Sequence, residues 1–125
     1  MPPRNHFQMP IATGFDQRYS CNTCETDNLD PDDDLNDRNW TCNGCGKRVF
    51  VHLADDDGNT GLVVRCQAQH LKPGDYIYQE HDLGSGALQV LSSSQAQGKG
   101  NKWYLGIQGF GGRTVEPDRY FNRIP

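Results

Sequence analysis

No stretch of this chain approaches the roughly 18 apolar residues of a membrane span. Its first residues, Met1-Pro-Pro-Arg-Asn-His6, lack the apolar segment of a secretory signal. Neither a membrane protein nor an exported one is expected, and paired thiols without an export signal point to a reducing cytoplasm. Also missing is any Ser-His-Asp pattern, phosphate-binding glycine loop or pair of catalytic carboxylates, so no reaction is named by the sequence. Helical periodicity is absent too. Apolar residues are scarce at 34%, whereas 14 glycines and 7 prolines fill 125 positions with turn chemistry. Such a chain buries a modest core, and its length suits one domain or two small units.

Against these absences stand two cysteine pairs, Cys21-Asn-Thr-Cys24 and Cys42-Asn-Gly-Cys45, with residues 25–41 between them. A Cys-x-x-Cys turn brings two sulfurs to one side of a tight reversal, each able to reach one ion at about 2.3 Å. The second pair completes a tetrahedron, and this separation falls within the range of four-thiolate zinc sites. Gly44 and Gly46 sit where a cramped turn wants no side chain or a positive φ. Lys47 and Arg48 follow at once, and their charge would offset part of the net negative charge of zinc held by four thiolates. Two disulfides or four core cysteines are the competing readings; core cysteines would not fall into two such pairs. A structural site of this kind contributes on the order of 10–16 kcal/mol of apparent binding energy to the fold. With four protein ligands it has no open position for substrate or water, so it is a staple rather than a catalyst. The fifth cysteine, Cys66, then needs no disulfide partner.

These residues, Cys21, Cys24, Cys42, Cys45, Gly46, Lys47 and Arg48, resemble the zinc-ribbon family, in which two cysteine knuckles sit on the tips of β-hairpins. The resemblance covers residues 15–54. It implies one structural zinc and leaves function open, because zinc ribbons serve transcription, translation, nucleic-acid binding and scaffolding alike. Glu25 departs from the family's pattern, which has Gly after the second cysteine, and implies a looser first turn.

Charge is unevenly spread. The net charge is −4, yet seven acids (Glu25, Asp27, Asp30, Asp32, Asp33, Asp34, Asp37) face Arg38 alone between the knuckles. From 98 to 125 the balance reverses, with Lys99, Lys102, Arg113, Arg119 and Arg123 against Glu116 and Asp118. The acidic spacer reads as a solvated loop, or else as a contact for a basic partner or a guard against nonspecific nucleic acid.

In chain order, residues 1–14 read as an extended arm, and Phe15 to Ser20 as a strand into the first knuckle. Trp40 is expected to cover the zinc site or a sheet face, with an exposed stacking surface as the alternative. Val49–Leu53 and Leu62–Arg65 read as a hairpin joined at Asp55-Asp-Asp-Gly-Asn59. That turn looks like calcium chemistry, but from Asp55 the required sixth-position Gly and twelfth-position Glu are missing. Farther on, Leu62–Cys66, Tyr76–Tyr78, Ala87–Leu91, Trp103–Gln108 and Thr114-Val115 read as short strands. A loop is expected over 92–102, and one helical turn or a closing edge strand over 118–124. The fold class is mainly β with little helix: a zinc ribbon over 15–54, then a small antiparallel barrel or sandwich over 55–125. Leu71-Lys-Pro-Gly-Asp-Tyr-Ile77 resembles the tight turn of SH3-like and Hint-like barrels. A Hint-like resemblance implies self-processing with Cys66 as nucleophile; splicing also asks for Asn at the cleavage boundary, where this chain reads Ile124-Pro125. Cys66 can be paired on paper with His52, His70 or His81, but its apolar run reads as core.

What remains is binding. Lys47, Arg48, Lys99, Lys102, Trp103, Tyr104, Arg113, Arg119 and Tyr120 mix cations with aromatics, as a surface for phosphates and bases does. Alternation puts Trp103 and Leu105 on one face and Tyr104 on the other. Overall acidity speaks against a dedicated nucleic-acid binder. The expectation is a non-catalytic protein-binding adaptor or regulator, in the setting of transcription or translation machinery. A nucleic-acid-binding module comes next, then a Cys66-dependent enzyme. Partner identity and oligomeric state are not readable.

Overall fold

The structure is a computed structural model and describes residues 11, 13–36, 38–79, 82–98 and 100–125. Most of the expected arm, together with Asp37, His81 and Lys99, lies outside the described residues. The strands are β1 (Asp16–Ser20), β2 (Leu35–Asn36), β3 (Thr41–Cys42), β4 (Phe50–Ala54), β5 (Thr60–Gln67), β6 (Tyr76–Tyr78), β7 (Leu88–Gln95), β8 (Trp103–Ile107), β9 (Gly111–Val115) and β10 (Tyr120–Arg123). A single 3₁₀ turn, Ala68–His70, is the helix among the described residues, and no helix there is long and apolar enough to cross a membrane. The protein is mainly β, as its alternating short segments imply.

Eight strands form one antiparallel sheet in the order β1-β4-β5-β10-β6-β7-β8-β9, and β2-β3 form a small ladder beside it. Of the barrel or sandwich expected, a closed barrel is not formed: β1 and β9 are the two ends of a large antiparallel sheet. Residues 118–124 supply neither a helical turn nor an edge strand; β10 enters mid-sheet, with Phe121 opposite Cys66 on β5 and Asn122 opposite Tyr78 on β6. The 54/55 division drawn from the sequence falls at the tip of the β4–β5 hairpin, and the sheet runs through it.

Two apolar clusters sit against this sheet. The first joins Val49, Val51, Leu53 and Val63 to Leu29, Leu35, Trp40, Cys21 and Cys42 of the knuckle segment. The second gathers Cys66, Ile77, Val90, Leu105, Ile107, Val115 and Phe121, closed by Ala68 and Leu71. β5 and β10 contribute to both. Val63-Val-Arg-Cys66 is consequently buried along its whole length, as expected of a strand covered on both faces.

The expected 92–102 loop is shorter than the sequence suggested, because β7 runs to Gln95 and pairs Ser92–Gln95 with Gly106–Trp103. An irregularity between Val90 and Ser92 resets the register. Across the pair, Trp103 Nε1 donates to Ser93 Oγ at 2.8 Å. Leu105 is buried and Tyr104 exposed, as the alternation in β8 requires.

Candidate metal centre

The two knuckles are built alike. Cys21 and Thr26 exchange both backbone hydrogen bonds, at 2.8 and 3.0 Å. In the second, Cys42 N donates to Lys47 O at 2.8 Å and Gly46 N to Cys42 O at 2.7 Å. Each turn has a left-handed residue four positions after its first cysteine: Gly46 at φ 78° and Glu25 at φ 55°. The first turn is therefore not loosened by its missing glycine; Glu25 takes the conformation a glycine would. The acidic spacer is tied down as well. Leu29 and Leu35 are buried, Asp32 N donates to Asp30 Oδ1 at 2.9 Å, and Asn43 Nδ2 donates to Asp33 O at 3.0 Å.

The knuckles bring Cys21, Cys24, Cys42 and Cys45 together with all four sulfurs within 4.8 Å of one another. Cys21 Sγ is 3.5 Å from Cys45 Sγ, and Cys24 Sγ is 3.9 Å from Cys42 Sγ. A tetrahedron with metal–sulfur bonds of 2.3 Å has edges of about 3.8 Å, so the cluster fits one metal ion. Backbone amides help hold the sulfurs: Cys24 N donates to Cys21 Sγ at 3.4 Å and Gly44 N to Cys42 Sγ at 3.3 Å. Side-chain hydrogen bonds to Cys42, then Cys21 and Cys45, push the Cys24 thiol up to about 12. Four thiolates so close together need a compensating cation. Cys21 and Cys42 are buried, Cys45 is partly so and Cys24 is exposed, which leaves one edge of the cluster facing solvent.

Behind the cluster lies a polar assembly not anticipated from the sequence. Arg65 is fully buried on β5, and its guanidinium holds the Asp16 carboxylate through Nη1 at 2.9 Å and Nη2 at 2.7 Å. Its Nε donates to Asn122 Oδ1 at 2.9 Å. Trp40 covers it, with the guanidinium carbon 4.4 Å from the ring centroid. Tyr19 stacks on Trp40 at 6.0 Å and donates to Asp16 Oδ2 at 2.6 Å. One signal was available: an arginine inside Leu62-Val-Val-Arg-Cys66 is a charge in a buried strand and demands a partner.

The other expected contact residues are dispersed. Arg48 and Tyr120 meet in a cleft of about 230 Å³ between the second knuckle and β5. Arg113 and Arg119 line a separate groove of about 270 Å³ above Ile77, Leu88 and Phe121, with Phe110 at its lip. Lys102 is ion-paired with Glu116. The Tyr104 ring lies over Gly112, and Lys47 is exposed at the knuckle. Cys66 is buried and donates to Gln67 O at 3.5 Å; burial pushes its thiol above the ordinary value. His52 sits against Ser20 Oγ at 3.0 Å. A scan of family models and searches of curated proteins and of solved structures return no match.

Proposed function

We propose that the four cysteines hold one structural Zn²⁺ in a zinc-ribbon-like unit and that the protein is a non-catalytic binding adaptor or regulator. The supporting observation for the metal is the spacing of the sulfurs: a compact tetrahedron of four soft donors suits zinc. The same closure supports a non-catalytic role, since four protein ligands leave no place for a substrate. Cys66 adds to this reading, because a buried thiol with its pKa raised is a poor nucleophile at neutral pH.

The zinc anchors the spacer and both knuckles over Trp40, and thereby presents Lys47, Arg48 and the acidic residues from 25 to 34 on a fixed frame. A protein partner is favoured over nucleic acid by the dispersal of the cations. Backbone phosphates are tracked by a continuous basic groove with stacking rings, whereas here Arg48 and Arg113 lie in different clefts and Lys102 is engaged by Glu116.

The test is affinity capture from lysate with the zinc-loaded protein. A partner retained after nuclease treatment, and lost on reversing the charges of Lys47 and Arg48, supports the adaptor. Retention that disappears with nuclease and depends on Arg113 and Arg119 supports the nucleic-acid reading instead.

A further inference from the structure

The cleft holding Arg48 and Tyr120 is lined by Asn39, Thr41, Arg48, Arg65, Gln67, His70 and Tyr120. The chain has 16 acidic residues against 12 basic ones, yet among the described residues no carboxylate lines this cleft. Every lining side chain carries a hydrogen-bond donor or, for the histidine ring, becomes one on either nitrogen. Arg65 forms the floor, its charge balanced by Asp16. Arg48 and His70 are exposed at the mouth. Among the described residues, no carboxylate lies within ion-pair distance of Arg48.

Tyr120 is the best-defined donor. Its hydroxyl accepts from Gln67 Nε2 at 3.3 Å, and Gln67 is itself fixed by Gln69, whose Nε2 donates to Gln67 Oε1 at 2.7 Å. With its lone pair engaged, the hydroxyl has its proton to give. Burial pushes the phenol above its ordinary value of 10.0, so near neutral pH the hydroxyl retains the proton it donates to an anion.

We infer that this cleft is an oxyanion site that takes one phosphate group, free or as a monoester, gripped by the Arg48 guanidinium and by the Tyr120 hydroxyl, with His70 at the rim. A planar guanidinium suits the paired oxygens of a phosphoryl group, and a cleft of about 230 Å³ suits one such group rather than a run of them. The inference goes beyond the adaptor reading and does not depend on it. Its link to the metal is geometric: Asn39, Thr41 and Arg48 belong to the second knuckle, whereas Gln67, His70 and Tyr120 belong to the sheet and its 3₁₀ turn. The site exists only while the knuckle is docked.

The experiment is a titration of the zinc-loaded protein with inorganic phosphate, O-phosphoserine and acetate at fixed ionic strength, followed through the His70 ring resonances. Saturable shifts with the two phosphates and none with acetate are expected. Arg48→Ala weakens binding about tenfold and Tyr120→Phe, which keeps the packed ring, about threefold. Tighter binding of O-phosphoserine than of inorganic phosphate identifies a phosphorylated side chain as the source, and equal binding identifies free phosphate. No saturable shift of His70, or the same affinity in both variants, overturns the site.

Discussion

The Arg65 guanidinium lies 4.4 Å from the centre of the Trp40 ring, and this contact joins the cysteine unit to the sheet. Trp40 leads into the second knuckle, with a left-handed backbone at φ 57°. Arg65 reaches past β4 to Asp16 on β1. A cation with one face on an aromatic ring and its edge on a carboxylate locks three segments in one geometry.

Removing either charge of that pair leaves the other buried alone. Asp16→Asn or Arg65→Met alone should cost about 3–5 kcal/mol. The double variant should lose clearly less than the two single losses combined, as urea unfolding of all four proteins in a double-mutant cycle will read. Additive losses would mean that the pair is not coupled.

Glu25 makes the opposite kind of prediction. Its φ of 55° matches the role of Gly46, so Glu25→Gly relieves a left-handed strain and should stabilise by about 0.5–1 kcal/mol. Gly46→Ala should destabilise by a similar amount. The urea midpoint of the metal-loaded protein checks both.

The knuckles were legible because metal chemistry fixes local spacing, and Cys21 and Cys42 need only their own turns to be placed. The strands were legible from alternation, as Leu105 and Tyr104 on β8 show. Strand order was not, because the position of β10 depends on pairing Phe121 with Cys66 across the chain. Ser92–Gln95 read as loop because serine has little strand preference of its own; its pairing comes from Trp103 and Leu105 opposite. Arg65 could have been noticed as a charge in a buried strand but was not, and its partner Asp16 is 49 positions away, where no local pattern names it.

Thiol reactivity separates the cysteines. In the zinc-loaded protein the four cluster sulfurs and buried Cys66 should all react slowly with a thiol reagent. Chelation should release Cys21, Cys24, Cys42 and Cys45, and Cys66 should become reactive only as the core around it unfolds. Fast reaction of Cys66 in the native protein would contradict its place in the core.

His52 gives a pH dependence. Burial, then the charge of Arg18, lowers its folded pKa below the ordinary value of 6.5, so the unfolded chain binds the proton more readily. Its contribution to stability is present above about 6.5 and is lost as the pH falls toward the depressed value. His52→Gln should flatten that part of the stability profile, measured by urea unfolding at pH values where metal content is unchanged.

The most direct test is elemental analysis of the purified protein, paired with replacement of Cys21, Cys24, Cys42 and Cys45 by serine. One zinc ion per chain, and loss of cooperative unfolding in the replaced protein, is the expected result. Absence of bound metal, or an equally stable fold without the four thiols, would contradict the account.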